Sequence, residues 1–161
     1  MLASGKGWIK GLLKSIPTVL GKVKEWREAG SIIRDDNGAW MIGKAWKTKS
    51  RNPAEAELLA IRGGMQMAID ANFNQVIIET NASSLKRTIQ DARKYEMSEL
   101  VTILKDMEAF LTKGCYFEFN YVPRGANGVA HILTKIVVDK EAIDGMGKLF
   151  DNPPCIHQGC L

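Results

Sequence analysis

The sequence predicts an α/β protein in which helices pack against one mixed sheet. Two observations carry this prediction. The 161 residues suffice for a single domain with a core, since 45% of them are hydrophobic and 25% charged. From Ser31 onward, strand-like and helix-like patterns follow one another in the order β-β-α-β-α-α-β-α. The same composition excludes a disordered chain and a disulfide-dense mini-protein, and no run approaches the roughly 18 apolar residues of a membrane helix.

The first 24 residues form a basic leader. They hold five lysines and no acid, whereas the remaining residues carry 17 basic and 18 acidic side chains. The formal net charge of +4 therefore says little about what the domain binds. Apolar residues recur at helical spacing from Trp8 to Leu20, which predicts an amphipathic helix packed on the domain and kinked at Pro17. A transit or membrane-surface role is the alternative, because the segment lacks acids.

A β-hairpin is predicted after the leader. Residues 31–35 and 39–47 are apolar runs separated by Asp36-Asn37-Gly38, and Asn-Gly between such runs is the strongest short-range hairpin signal. Trp40 and Trp46 share one face of the returning strand with Ile42. We interpret the two indoles as packing residues in preference to surfaces that stack on bases.

A helix is predicted next. Asn52 is placed as its N-cap, with Pro53 at the first helical position and Glu55 completing a capping box. The pair Gly63 and Gly64 lowers helix propensity and predicts close approach of another backbone. The apolar stripe of this helix consists of Leu58, Ile61, Met65, Ala68 and Ile69.

The second half predicts two further strands and three helices. The β-branched run 75–80 is typical of a buried strand, and the aromatic-rich run 115–122 alternates as a strand does. The predicted helices run from Ser83 or Ser84 to Ile89, from Ser98 through Leu111 to Gly114, and, after a loop at 123–128, from Val129 to Val138.

The three cysteines give little functional information. Cys115 lies alone in a strand-like run, and Cys155 and Cys160 flank His157 near the end of the chain. A metal clip or a disulfide is one interpretation of this tail. Zinc usually takes four ligands arranged in pairs, so an ordinary polar tail in a reducing compartment is favoured.

Four motifs occur in order between residues 29 and 154. They are Ala29-Gly30-Ser31-Ile32-Ile33-Arg34-Asp35 with Asn37-Gly38, Ala54-Glu55-Ala56-Glu57-Leu58 with Ala60-Ile61, Val76-Ile77-Ile78-Glu79-Thr80-Asn81, and Val122-Pro123-Arg124-Gly125-Ala126-Asn127 with Val129-Ala130. Together with the tail Phe150-Asp151-Asn152-Pro153-Pro154, this order resembles the ribonuclease H family, and more closely its plant reverse-transcriptase-like branch. The resemblance implies a ribonuclease H-like fold with a mixed five-stranded sheet flanked by helices. It divides the chain into a leader with a remodelled first strand (1–28), the ribonuclease H-like domain (29–154) and a tail (155–161).

The resemblance implies hydrolysis of the RNA strand of an RNA–DNA hybrid, with two bound Mg²⁺ or Mn²⁺ ions. Two divalent ions that touch one phosphate need several carboxylates to bring them together. The family places acids on the first strand, the first helix, the fourth strand and the last helix. Of these positions only Glu57 is clearly retained, because Asn81 and His131 stand where the family has aspartates.

The first strand departs most from the family pattern, since no Asp-Gly motif precedes Ala29. The family places this strand between the second and fourth strands of the sheet. We expect residues 19–24 to form it, with a short connection to Ser31. Glu28, or else Glu25, then falls near the position of the missing acid.

The metal site has two interpretations. Asn81 keeps a carbonyl oxygen without charge, and the imidazole of His131 suits Zn²⁺ or Mn²⁺ better than Mg²⁺. Glu57, Asn81 and His131 together could hold one softer ion, with Glu79 on the same strand face as Asn81 as a further ligand. The favoured interpretation is a degenerate site in which no metal binds.

The expected partner is an RNA–DNA hybrid, bound weakly by a monomer inside the cell, in the nucleus or cytoplasm. The resemblance assigns phosphate or sugar contacts to Arg124 and Asn127, whereas charge alone suggests Lys44, Lys47, Lys49, Arg51, Lys86 and Arg87. Tyr121 stands where many members have a histidine. Catalysis is expected to be lost or severely reduced. The alternatives are a residual metal-dependent hybrid endonuclease that uses Glu28 or Glu25, and an interaction module that binds no nucleic acid and works through its leader.

Overall fold

The computed structural model describes residues 6–13, 25–51, 53–80, 100–123 and 147–153, which form a mixed sheet and two helices. The elements are β1 (Lys6–Leu13), β2 (Glu25–Arg34), β3 (Trp40–Ser50), α1 (Pro53–Asp70), β4 (Gln75–Thr80), α2 (Val101–Phe110), β5 (Tyr116–Tyr121) and β6 (Lys148–Phe150). The strand order is β5-β4-β1-β2-β3-β6, with β1, β4 and β5 parallel and β2, β3 and β6 antiparallel to their neighbours. The α/β class is confirmed. The short edge strand β6 makes one strand more than the five expected.

β1 occupies the centre of the sheet, between β2 and β4. Its Leu13 pairs with Ala29 of β2, and its Lys10 pairs in parallel with Glu79 of β4. The amphipathic helix expected for the leader is therefore wrong for residues 6–13. The placement of the first strand at 19–24 is also wrong, because β1 already fills that position; residues 14–24 lie outside the described ranges. Without a strand between β2 and β4, both strands would have unpaired edges. The stabilisation from pairing on both sides of β1 is larger than the helix preference that the apolar spacing indicates.

The predicted hairpin joins β2 to β3. The Oδ1 atom of Asp35 accepts hydrogen bonds from the backbone N–H groups of Asn37 at 2.9 Å and Ala39 at 2.8 Å. Gly38 has φ of +79°, and its N–H donates to the carbonyl of Asp35 at 2.9 Å. This left-handed conformation is the one that glycine adopts without a steric penalty, so the Asn-Gly signal is confirmed. β2 starts at Glu25, six residues earlier than expected.

α1 begins at Pro53, as predicted. The carboxylate of Glu55 accepts a hydrogen bond from the backbone N–H of Arg51 at 2.6 Å. The acid therefore closes the start of the helix as a capping box does, but its donor lies one residue before the expected Asn52, which is outside the described ranges. The predicted stripe is buried at Leu58, Ile61, Met65 and Ala68, with Ile69 half-buried.

One core lies between the sheet and the two helices. Its buried members are Ile33, Leu58, Ile61, Met65, Met67, Ala68, Val76, Ile78, Ile103, Leu104, Met107, Cys115 and Phe117. β4 has the predicted bounds, and β5 begins one residue after Cys115, whose burial raises the pKa of its thiol. Leu111, expected on the apolar side of its helix, is exposed because α2 ends at Phe110. The helices predicted at 83–89 and 129–138 lie outside the described residues, and neither described helix is long and apolar enough to span a bilayer.

Trp46 fills the space that Gly63 leaves open. A Cβ atom at Gly63 would lie 2.5 Å from Cζ2 of this indole and 2.6 Å from Cη2. Gly63 thus allows the close approach of a side chain, that of Trp46, whereas the sequence predicted the close approach of another backbone. Trp46 is buried against Ala29, Ala56 and Ala60, so it packs the interior as interpreted. Trp40 donates from its Nε1 to the carbonyl of Phe150 at 3.2 Å and ties β3 to β6.

Replacing Gly63 with alanine should destabilise the protein, although alanine favours helices. We expect overpacking against Trp46 to lower the free energy of unfolding by about 1–3 kcal/mol, which exceeds the roughly 1 kcal/mol that alanine gains in helix propensity. Urea unfolding measures the change. In a Trp46→Phe background the shorter ring leaves room, so Gly63→Ala should there be neutral or stabilising. A more stable Gly63→Ala single variant would contradict the tight contact.

Candidate functional site

Four elements meet at one edge of the sheet. The parallel strands β1, β4 and β5 all end there, with β4 ending at Thr80 and β5 at Tyr121. The start of α1 lies at the same edge, because Ala56 packs with Ala29, whose backbone pairs with Leu13 at the end of β1. We call the ends of β1, β4 and β5 and the first two turns of α1 the site edge. It is where the family resemblance locates catalysis.

Glu57 is the acidic residue of α1 that points inward at the site edge, whereas Glu55 accepts the N–H of Arg51. It belongs to the helical stripe that includes Ile61 and Ala68, both buried against the sheet. The Glu57 side chain is half-buried, and its Oε2 atom is inaccessible to solvent. The helix therefore directs this carboxylate inward at the site edge, as a ligand or catalytic acid would require.

Glu79 lies on the opposite side of the sheet from α1. Val76 and Ile78 of the same strand are buried in the core beneath the helices, and successive strand residues face opposite sides. The Cα atom of Glu79 pairs with Lys10 of β1 and with Asn120 of β5. The structure does not bring Glu79 and Glu57 together on one face, so the two do not form a common ligand pair.

The two acids expected near the first strand belong instead to β2. Glu28 pairs with Lys47 and Glu25 pairs with Ser50, both on β3. The strand that stands between β2 and β4 is β1, whose sequence Lys-Gly-Trp-Ile-Lys-Gly-Leu-Leu contains two lysines and no carboxylate. The expectation that Glu28 takes the acid position on the central strand is therefore corrected.

The described residues do not fit a pair of Mg²⁺ ions. Within these ranges no three His, Cys, Asp or Glu side chains lie close enough together to hold a metal. Mg²⁺ requires several oxygen ligands, and Glu57 is the described carboxylate that points inward at the site edge. Glu55 accepts the N–H of Arg51, and Glu79 lies on the other face of the sheet. The other sequence-derived candidates lie outside the described residues: Asn81, Lys86, Arg87, Arg124, Asn127, His131 and the Cys155–Cys160 tail.

Cationic side chains lie at the end of β3, close to the site edge. Lys49 is exposed and Arg51 is half-buried just before α1, in the region where β3 pairs with the beginning of β2. Lys47 is half-buried on the same strand. Lys44 lies further along β3, with its Nζ 5.6 Å from the ring centroid of Trp46, a contact that belongs to packing. Lys49 and Arg51 are thus the described cations best placed for a phosphate.

Tyr121, which stands where many members of the family have a histidine, is exposed at the site edge, and sequence reasoning did not foresee this exposure. Its side chain is 55% exposed, although it ends the strand whose Phe117 is buried on the same face. The backbone there is fixed, since Tyr121 pairs with Thr80 and the N–H of Val122 donates to the Thr80 carbonyl at 2.9 Å. Strand alternation predicts a buried position for this residue, whereas the ring at the end of β5 is accessible.

Known structures resemble this fold along most of the chain. Ribonuclease H1 from Halobacterium salinarum is 15% identical and matches with a TM-score of 0.67, over 84% of this chain and 97% of that one. LC11 ribonuclease H1, isolated from compost and solved with an RNA/DNA hybrid, is 16% identical with a TM-score of 0.69, over 83% and 97%. The N-terminal ribonuclease H domain of a Mycobacterium tuberculosis protein is 14% identical with a TM-score of 0.69, over 84% and 95%. At these identities the likeness concerns the fold.

Sequence comparison identifies the family. A search of curated protein sequences found no match. The model of the reverse transcriptase-like family matches residues 21–137, which is well over half of the chain. The matched region begins after β1 and contains α1 with Glu57. The protein therefore belongs to the reverse transcriptase-like family and has the fold of the ribonucleases H.

Proposed function

We propose that the protein is a nucleic-acid-binding ribonuclease H-like domain that has lost all or nearly all hydrolysis of RNA–DNA hybrids. The observation that carries the proposal is the absence of a carboxylate from β1, the central strand. Two-metal hydrolysis needs clustered negative charge to hold the ions around the phosphate. By family resemblance, Asn81 and His131 remove two further charges, and Glu57 by itself cannot balance two divalent cations. The resemblance of the motif sequences supports the plant branch of the family as part of this proposal.

Weak nucleic-acid binding is supported by what the chain keeps. Among the described residues, the ends of β1, β4 and β5 and the start of α1 meet at the site edge, and Lys49 and Arg51 bring positive charge to it. Family resemblance adds Arg124 and Asn127. A structural neighbour, LC11 ribonuclease H1, was solved in complex with an RNA/DNA hybrid. Because phosphate contacts dominate such binding, the affinity should fall steeply with salt.

The proposal is tested by measuring cleavage and binding on the same labelled RNA–DNA hybrid. We expect fluorescence anisotropy to show salt-sensitive binding, and gels to show no cleavage in Mg²⁺ or Mn²⁺. An active ribonuclease H1 serves as the positive control for both assays. Cleavage that disappears in a Glu57→Gln variant would show a working site and overturn the loss of catalysis. Absence of any binding at low salt would overturn the nucleic-acid role.

Metal binding gives a separate expected result. Calorimetry should detect no Mg²⁺ binding at millimolar concentration, and at most one Mn²⁺ or Zn²⁺ per chain, because among the described residues no three His, Cys, Asp or Glu side chains come together around Glu57. Glu57→Gln is the matched control, since it removes the charge with little change in shape. A Cys155→Ser/Cys160→Ser variant separates any zinc held by the tail. Two Mg²⁺ ions per chain that are lost in Glu57→Gln would contradict the degenerate site.

The two alternatives have less support. A residual endonuclease that relies on Glu28 or Glu25 needs one of them on the central strand, and both belong to β2. An interaction module that works through its basic leader needs that leader to be available, and residues 6–13 are committed to the sheet as β1. The near-neutral charge of the chain beyond residue 24 still favours the interaction module over the residual endonuclease.

A further inference from the structure

We propose that Tyr121 is a stacking surface for an unpaired nucleobase, so that the site edge holds single-stranded RNA or DNA. The inference rests on the proposed function, because it assumes that the domain binds nucleic acid. It goes further by naming a contact residue and by assigning the strand state of the ligand.

Tyr121 is far more exposed than its neighbours on the same face of β5. Phe117 is 7% exposed and Phe119 is half-buried on the same strand face, whereas Tyr121 is 55% exposed. An accessible aromatic ring loses the stabilisation that burial would provide. A ligand that covers the ring would recover it.

The Tyr121 ring also stands on a fixed backbone. β5 pairs with β4 along its whole length, from Tyr116 opposite Gln75 to Tyr121 opposite Thr80. The hydrogen bond from Val122 to the Thr80 carbonyl, at 2.9 Å, continues this pairing past the end of β5. A tyrosine has only two side-chain torsions, so a ring held on such a strand loses little conformational freedom when it binds.

Tyr121 lies beside the strand ends that form the site edge. Thr80, the partner of Tyr121, directly precedes Asn81 in the chain. β4 separates β5 from β1, and neighbouring strands lie about 4.8 Å apart, so the Tyr121 backbone lies roughly 10 Å from the central strand. A nucleic-acid strand that crosses the site edge therefore passes Tyr121. Arg124, which family resemblance assigns to nucleic-acid contacts, follows three residues later in the chain.

The chemistry of stacking selects the ligand class. Bases inside a duplex present only their edges to a protein, whereas an unpaired base offers its flat face to an aromatic ring. Stacking accepts every base, so the contact should show little sequence preference. Unlike phosphate contacts, it should also depend little on salt.

The test compares the unmodified protein with Tyr121→Ala, Tyr121→Phe and Tyr116→Ala. Tyr116 is the matched control, because it is 62% exposed at the opposite end of the same strand. Binding is followed by fluorescence anisotropy with short labelled single-stranded RNA and DNA and with an RNA–DNA hybrid, each at low and moderate salt. Melting by circular dichroism checks that every variant is folded.

We expect Tyr121→Ala to weaken single-strand binding by about 5- to 100-fold, in the range measured for one stacked base, and by the same factor at both salt concentrations. Tyr121→Phe should bind nearly as the unmodified protein does, and Tyr116→Ala should be unchanged. Unchanged single-strand binding by a folded Tyr121→Ala, or an equal loss in Tyr116→Ala, would overturn the stacking proposal while hybrid binding upholds the proposed function. A protein that binds neither ligand would overturn both.

Discussion

Deleting residues 1–13 is expected to abolish the folded state. β1 pairs with β2 on one side and with β4 on the other, so its removal leaves both strands with unpaired edges at the centre of the sheet. The core residues Ile33 and Ile78, which flank β1 on those two strands, would lose their support. Circular dichroism and urea titration should show no cooperative unfolding. A variant that lacks only residues 1–5, which precede β1, is the control and should keep its cooperative transition.

A point substitution tests the same feature without shortening the chain. Lys10→Pro removes a backbone donor from the central strand, which a sheet interior does not tolerate, whereas Lys10→Ala changes only the side chain. We expect the proline variant to lose several kcal/mol of unfolding free energy, of the order known for proline inside regular structure, and the alanine variant to lose little. A folded truncation or a stable proline variant would restore the view of residues 1–28 as a segment separate from the domain.

Repairing the candidate site has the second large expected effect. Asn81→Asp with His131→Asp returns two carboxylates to join Glu57, and we expect this double variant to bind Mn²⁺ or Mg²⁺ measurably yet to cleave hybrid only feebly. The missing acid belongs on the central strand. Leu13 pairs with Ala29, whose side chain packs against Ala56 of α1, the helix that carries Glu57. Adding Leu13→Asp should therefore raise cleavage on the order of 10²-fold, the scale set by correct placement of a catalytic group.

The control for this repair is Leu12→Asp in the same double variant. Successive residues of a strand face opposite sides, so an acid one position along should not raise the rate. Hybrid cleavage at fixed metal concentration is the measurement, with melting curves for each folded variant. Full activity in the double variant alone would mean that Glu28 supplies the acid from β2, which contradicts the assignment of that role to the central strand.

Local patterns predicted the parts of the fold that local energies decide. The Asn37-Gly38 turn, the start of α1 at Pro53 and the strand at residues 75–80 each depend on neighbouring residues, and the structure has them where expected. The helix predicted for the leader is wrong at residues 6–13 because the helical spacing between Trp8 and Leu13 is only a local signal. The pairing that makes this segment a strand involves partners far away in the chain, and such tertiary pairing overrides propensity.

The sequence likewise predicted the parts of the candidate site that depend on local structure, and it did not predict those that depend on tertiary pairing. Glu57 belongs to a motif inside a helix, so its inward position at the site edge followed once that helix was recognised. The role expected for Glu28 depended on which segment forms the first strand, and it failed with that assignment. The exposure of Tyr121 depends on where β5 stops relative to its neighbours, which alternation of apolar residues does not reveal.

β1 lies before the region that matches the family, yet it takes the family's central place in the sheet. That place is held by main-chain hydrogen bonds, which any extended segment without proline can make. The position of this strand in the sheet therefore does not depend on whether its side chains include a catalytic acid. Substitutions on this strand can abolish catalysis while the protein still folds. The folded state of a protein in this family is therefore no evidence that the protein is catalytically active.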